Sequence, residues 1–291
     1  MPGSPSNTVT AFAPAKINLY LQITGRRDDG YHRLDSLIVF ADIGDQISAT
    51  SSDQLKLTIE GPFAKGLSSG DNNLVIRAAN ILAEFAGIEP RANITLTKNL
   101  PVASGIGGGS ADAAATLHAL TELWQLTLSK QDLLALAQKL GADVPVCVHG
   151  KPSFISGIGE IITPAPDLPE AWLILVNPGI AISTPEVFAG RNGDFSKVSP
   201  FATPPPAYTE FAALLNERRN DLTVSAIAIA PEIQEALSAL DTSPGQNLCR
   251  MCGSGATCFG LFEDEIMAQK AADDIQTAHP TWWIRAARLR S

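Results

Sequence analysis

Between Pro101 and Ala115 the chain reads P-V-A-S-G-I-G-G-G-S-A-D-A-A-A, with four glycines in five residues (Gly105, Gly107, Gly108, Gly109) and Ser110 and Asp112 close behind. Glycine lets the backbone turn its N–H groups inward with no side chain in the way. A helix beginning at such a turn adds unpaired N–H groups and the positive end of a dipole. Together they make an anion cradle, and phosphate is the anion it suits best. The run is not a P-loop, because no Gly-Lys-Ser/Thr closes it. It also fails the dinucleotide fingerprint, because Ser110 stands where the last glycine belongs. Taken alone, the same glycines also fit a plain flexible loop.

A cation comes from elsewhere in the chain. From Lys16 to Thr24 apolar Ile17, Leu19, Leu21 and Ile23 alternate with Lys16, Asn18, Tyr20 and Gln22, so Lys16 and Asn18 share the polar face of a strand. That face fits a solvated strand surface. A lysine beside a phosphate cradle, however, can neutralise developing charge or hold a hydroxyl ready for deprotonation. Asp143, in G-A-D-V-P-V (Gly141 to Val146), follows a helix and precedes a proline, which by itself is turn or cap chemistry. Tyr31 and His32 follow an Asp-Gly turn in Arg26 to Gly30 and read as amphipathic aromatics at a strand edge.

The elements that must hold these residues are legible around them. Ala92 to Lys98 alternates as a half-buried strand before the glycines, and Ala113, Leu117, Leu120 and Trp124 recur at helical spacing after them. Asp71-Asn72-Asn73 caps a helix carrying Leu74, Ala78, Ile81, Leu82 and Phe85 and closed by Gly87. Ser129 and Asp132 make a capping box, and Gly141 ends that helix. Leu37 to Phe40 reads as a buried strand, and Asp42 to Asp45 as a hairpin turn into Gln46 to Ala49. Thr184 is the cap of a further helix with Pro185 at its first position. Asn192 to Tyr208 is a polar, proline-rich loop, followed by helices at Phe211 to Arg218 and Pro231 to Leu240. A strand-loop-strand through Cys252 to Gly255, a helix at Glu263 to Ala278 and a strand at Trp282 to Ala286 complete the chain. This mixture predicts an α+β fold with helices on one face of an antiparallel sheet.

At 291 residues the chain can bury two moderate cores, and its 45% hydrophobic and 18% charged content is that of an ordinary globular chain. A net charge of −9 argues against a nucleic-acid partner, and no apolar run approaches the roughly 20 residues that span a bilayer. Met1 to Thr8 lacks a basic start and an apolar stretch, so it reads as a flexible tail rather than a secretory signal, and the expected compartment is the cytoplasm. Cys249 and Cys252 form a C-x-x-C, but the four histidines are scattered, so Cys147, Cys249, Cys252 and Cys258 are expected to be small strand or loop residues rather than metal or redox groups.

Three stretches share a resemblance. The glycine run, Ala13 to Leu19 (A-P-A-K-I-N-L) and Arg250 to Phe259 (R-M-C-G-S-G-A-T-C-F) are similar to the three motifs of the kinases of galactose, homoserine, mevalonate and phosphomevalonate. The resemblance implies a two-domain α+β fold. An N-terminal mixed sheet with helices (ribosomal-protein S5-like) would bind ATP over residues 9–164. A C-terminal ferredoxin-like layer would follow over 165–291, after the proline-rich stretch Thr163 to Pro169, with the active site between them. It implies ATP as phosphoryl donor, Mg²⁺ with Ser110 as a contact, Lys16 and Asp143 as catalytic residues, and a nucleotide site at Pro101, Val102, Ala103, Ser104, Gly105, Ile106, Gly107, Gly108, Gly109, Ser110 and Ala111. Asn73 and Leu74 would border the adenine, with Lys98 in the same neighbourhood.

The run G-Y-H-x-L-D (Gly30 to Asp35) and Phe188 resemble the branch of that family acting on a cytidine-diphosphate-linked methylerythritol of the non-mevalonate isoprenoid route. This implies that Tyr31, His32 and Phe188 take the cytosine, with Asn18 and Thr184 also on the substrate. A family kinase of another small alcohol, such as mevalonate or homoserine, and a non-catalytic nucleotide-binding regulator are the alternatives. Two departures stand out: Ala103 and Ser104 replace glycines, which puts backbone contacts there in doubt, and Cys252 replaces a serine. Neither is expected to touch Lys16 or Asp143.

Overall fold

A computed structural model describes residues 8–290; the expected tail, residues 1–8, lies outside them except for Thr8. In chain order the elements are β1 (Val9–Arg26), β2 (His32–Thr50), β3 (Leu55–Glu60), α1 (Leu74–Ala86), β4 (Ala92–Thr97), α2 (Gly108–Leu123), α3 (Lys130–Leu140) and α4 (Val144–His149). They continue as β5 (Ser153–Gly157), β6 (Ile161–Pro164), β7 (Trp172–Asn177), α5 (Thr184–Ala189), α6 (Tyr208–Asn216), α7 (Thr223–Ile229) and α8 (Glu232–Asp241). The last four are β8 (Leu248–Met251), β9 (Cys258–Phe262), α9 (Glu265–Ala278) and β10 (Trp283–Arg290).

The chain folds into two compact units. One holds the described residues through Ala15, Gly44–Val102 and Gly107–Gly150; the other holds Lys16–Ile43, Ala103–Ile106 and the chain from Lys151 onward. They are not sequence blocks. Thr163 to Pro169 leads from β6 towards β7 inside the second unit, whereas β1 and β2 each change unit partway along.

In the first unit β4 lies antiparallel to the end of β2 (Ile47 opposite Leu96) and parallel to β3 (Leu57 opposite Ile94). Helices α1 to α4 pack on one another. The caps read from the sequence are present: Asn73 Oδ1 accepts from the Val75 N–H, Gly87 closes α1 at φ 65°, and Ser129 and Asp132 form the capping box of α3.

In the second unit β10 runs antiparallel to β7, β7 to β9 and β9 to β8, and β5 pairs with the first half of β2 and with β6. Helix α9 covers β10 and β7, and α8 covers β8 and β9. Ile23, Ile174, Val176, Ile233, Phe262 and Ile275 belong to the core beneath them.

Two expectations are corrected. Asp42 to Asp45 is not a turn: β2 runs through it as a 19-residue strand. Gly44 is there because β1 passes too close for a side chain, since a Cβ would sit 2.2 Å from the Ala13 carbonyl oxygen. The cap of α5 is Ser183, and Thr184 is the first helical residue, its hydroxyl paired with that of Ser254 at 2.8 Å. Helix α7 had no counterpart in the sequence reading.

Because the obstacle at Gly44 is backbone that cannot swing away, Gly44→Ala is expected to cost about 3 kcal/mol. It should appear as a lower urea midpoint with an unchanged m-value; a midpoint equal to wild type would refute the close approach.

Candidate active site

The glycine loop takes an alternating backbone path. Ala103, Gly105 and Gly107 have φ of 50°, 80° and 65°, while Ser104 and Ile106 between them are buried. Alternation of left-handed with ordinary residues turns N–H groups towards one side and is the geometry of an anion-binding nest. Helix α2 then begins at Gly108 with Gly107 as its cap, which has no side chain to offer. The first-turn N–H groups therefore face their ligand side without a capping oxygen. Alanine at 103 adopts the left-handed conformation that its missing glycine put in doubt. Pro101 and Ala111 are buried, Val102 is exposed, and Gly108, Gly109 and Ser110 lie at or near the surface.

In the second unit the three motifs meet. The Lys16 N–H donates to the Ile106 carbonyl at 2.9 Å, and the Thr257 N–H donates to that of Ser104 at 3.1 Å. The loop is thus held on one side by β1 and on the other by the turn after β8. The approach leaves no room for side chains: a Cβ on Gly105 would lie 2.6 Å from the carbonyl oxygens of Cys252 and Gly255, and one on Gly253 would lie 2.6 Å from that of Gly105. Cys252 does touch Lys16, against expectation. Its Sγ accepts from the Asn18 N–H at 3.2 Å and lies 3.5 Å from the Gly105 carbonyl and 3.8 Å from that of Lys16.

The polar face of β1 is not solvated. Lys16 is 3% and Asn18 5% exposed, and the side chains form a chain of bonds. Lys16 Nζ donates to Asn18 Oδ1 (2.9 Å), Asn18 Nδ2 to Ser36 Oγ (2.8 Å), and Ser36 Oγ to the Tyr20 carbonyl (2.5 Å). A buried ammonium is tolerated only with such partners. Ser36 was not foreseen, since a serine within an apolar strand carries no local signal of its own.

His32 and Phe188, 156 residues apart in sequence, have ring centroids 5.6 Å apart and tilted by 32°. Tyr31 just before β2 is 62% exposed. Burial, with help from the Arg26 and Arg191 guanidinium groups, holds the His32 imidazole below the usual histidine range.

In the first unit Asn73 caps α1 and also donates to the Ser68 carbonyl at 2.7 Å; the Leu74 side chain lies against the α2 start, 3.6 Å from where a Cβ on Gly109 would be. Asp143 occupies the cap position of the six-residue α4, and its side chain makes no capping bond, so capping does not account for it. Lys98 is 3% exposed, and its Nζ donates to Asp45 (2.5 Å) and Asp112 (2.7 Å). Burial alone would lower the Lys98 pKa, but the two carboxylates outweigh it and hold it above the usual lysine range. Burial pushes Asp112 up to about 7 despite the ammonium. The local sequence does not mark Asp45 as a buried acceptor, because its Asp-Ile-Gly-Asp setting imitates a turn. All four cysteines are thiols, and no group of three or more His, Cys, Asp or Glu among the described residues is placed to hold a metal.

The sequence matches the family described as "GHMP kinases N terminal domain" over residues 73–151 and "GHMP kinases C terminal" over 206–281. It is 50% identical over 279 residues to the 4-diphosphocytidyl-2-C-methyl-D-erythritol kinase of Paramagnetospirillum magneticum, covering 96% of this chain and 98% of that one. It is 53% identical over 281 residues to the kinase of the same name from Cereibacter sphaeroides, with the same coverage. Among solved structures, a 4-(cytidine 5'-diphospho)-2C-methyl-D-erythritol kinase superposes with a TM-score of 0.78 at 33% identity over 97% of this chain and 99% of that one. Homoserine kinase from Cytophaga hutchinsonii follows at 0.76 and 17% identity over 100% and 96%, a likeness of fold.

Two outcomes follow from this geometry. Ala103→Gly relieves about 1–2 kcal/mol of strain in a left-handed alanine but adds about 0.5–1 kcal/mol of unfolded-state entropy, so it should stabilise by up to about 1.5 kcal/mol in urea titration. A loss of stability would show that the alanine is unstrained. The His32 ring protons should titrate with an NMR midpoint below 6.5, and Arg191→Ala should move it upward. The neutral ring then persists at pH 7 and charges only as pH falls below the ordinary histidine range; a midpoint above 6.5 would contradict the assigned environment.

Proposed function

The chain belongs to the GHMP kinases and, within them, to the 4-diphosphocytidyl-2-C-methyl-D-erythritol kinase family, and we propose that it transfers the γ-phosphoryl group of ATP to the 2-hydroxyl of that compound. The products are the 2-phosphate and ADP, in non-mevalonate isoprenoid precursor biosynthesis. The reaction needs little covalent work from the protein, so positioning and charge stabilisation dominate. The observation that carries this reading is the loop from Ala103 to Gly107, with left-handed φ at alternate residues and an uncapped helix start directly behind it.

On this reading backbone groups of Gly105 to Ser110, within a nucleotide site at Pro101 to Ala111, hold the ATP phosphates, with Asn73 and Leu74 at the adenine, all within residues 9–164. Asp143 takes the proton of the acceptor hydroxyl as its oxygen bonds to the γ-phosphorus and the bridge to ADP breaks, a role worth about 10²- to 10⁴-fold. Lys16, a buried ammonium oriented by Asn18, stabilises the charge that develops. His32, Phe188 and Tyr31 select the cytosine, with His32 neutral and so able to accept as well as donate a hydrogen bond, and Asn18 and Thr184 face the rest of the substrate.

No group of three or more His, Cys, Asp or Glu among the described residues is placed to hold a metal, so Ser110 in the first turn of α2 would be the protein contact for Mg²⁺, with phosphate and water as its other ligands, and the ion would supply neutralisation of charge on the phosphates. No helix among the described residues is long and apolar enough to cross a membrane. On this reading the enzyme works in the cytoplasm, where ATP is available.

The test is ADP release with ATP and Mg²⁺ and a panel of acceptors: the cytidine-diphosphate methylerythritol, mevalonate, homoserine and galactose. Turnover with the first alone is expected, and Asp143→Asn should lower kcat by about 10²- to 10⁴-fold with a small change in KM. Turnover with another alcohol would refute the cytosine site, and full activity in the Asp143 variant would refute the base.

A further inference from the structure

The buried cluster of Asp45, Lys98 and Asp112 has no part in the chemistry above, and its geometry encloses the glycine loop from both ends. Asp45 Oδ1 accepts the N–H groups of Asn99 at 2.6 Å and Leu100 at 2.8 Å, the residues through which the chain leaves β4 and enters the loop. Its other oxygen accepts from Lys98 Nζ, and the same ammonium donates to Asp112 Oδ2 on α2, where the chain leaves the loop. Asp45 is 0%, Lys98 3% and Asp112 3% exposed, so these bonds lie out of solvent. Gly108 is part of the arrangement, because a Cβ there would lie 3.0 Å from Lys98 Nζ.

Two carboxylates on one ammonium is a poor solution if stability were the only requirement. A single pair would balance, and the second carboxylate leaves Asp112 Oδ1 buried without a hydrogen-bond partner. What the second carboxylate adds is a connection across the loop. We propose that Asp45, Lys98 and Asp112 are positioning residues that tie the entry of the glycine loop to its exit and so set the spacing at which its backbone receives the ATP phosphates. The Lys98 ammonium then serves the two ends of the loop rather than the nucleotide directly. The inference rests on the loop being the ATP site.

The test compares Asp112→Asn with Asp112→Leu. Measured at a pH above 7, where Asp112 is mainly ionised, both remove the same negative charge and leave Lys98 balanced by Asp45, but only Asn retains an oxygen for Lys98 Nζ. If charge alone mattered, removing a carboxylate near a polyanion would tighten ATP binding in both. The clamp instead predicts that calorimetric Kd for ATP stays within about threefold of wild type in Asp112→Asn and rises on the order of tenfold in Asp112→Leu. Kd for cytidine diphosphate should be unchanged in each, a selectivity that general destabilisation would not produce. Unchanged ATP affinity in a folded Asp112→Leu, or equal weakening of both ligands, overturns the proposal. Should Asp112→Leu fail to fold, Asp112→Ala is measured in the same way; if neither folds, the cluster is a folding requirement and the positioning role falls. Wild-type protein that binds no ATP would instead defeat the reading of the loop itself.

Discussion

The arrangement of the second unit depends on one close approach of backbone to backbone. Gly105 lies against the turn Cys252–Gly255 at a distance that excludes even a methyl group on either side. The contact has three consequences. It imposes glycine at positions separated by about half the chain, it brings the Ser104 carbonyl to the Thr257 N–H, and it leaves the Ile106 carbonyl to receive the N–H of Lys16. Glycine at 105 and 253 therefore follows both from lack of space and from a left-handed φ that other residues adopt at a cost.

Fixing the backbone of β1 in this way matters because the strand carries an ammonium that is almost entirely buried. Its cost is offset by a continuous series of hydrogen bonds from Lys16 through Asn18 and Ser36 to the Tyr20 carbonyl. Polar networks of this kind are stiff when every member is satisfied. On the proposed reading, a cation fixed before substrate arrives does not have to reorganise as charge develops, which is the condition under which electrostatic stabilisation is most effective. Cys252 fits the same scheme. Sulfur accepts the Asn18 N–H at a longer distance than oxygen would, so the turn can carry a thiol without losing contact with the strand.

The first unit holds the chain that leads into and out of a loop rich in glycine. Such a loop loses more conformational entropy on ordering than any other sequence of its length. Asp45 accepts the N–H groups of Asn99 and Leu100 just before that loop, and α1 packs on α2 just after it. Asp45 shows how local sequence misleads: Asp-Ile-Gly-Asp imitates turn chemistry, yet its glycine marks a crowded strand and its second aspartate a buried acceptor.

Local physics accounts for what the sequence by itself determined. The caps at Asn73 and Ser129, the alternation in β1 and β4, the helical spacing after the glycines and the anion-binding character of the loop depend on neighbours within a few residues, so they are legible in one dimension. Tertiary structure decided the rest. Whether the polar side of β1 faced water or the interior, whether Asp42 to Asp45 turned or continued, and which partners took the Lys98 ammonium all depended on segments tens to hundreds of residues away. The contact of His32 with Phe188 is of the same kind. Burial and close approach are properties of the assembled chain, and for Lys16 they separate an ordinary surface lysine from a fixed cation beside the loop.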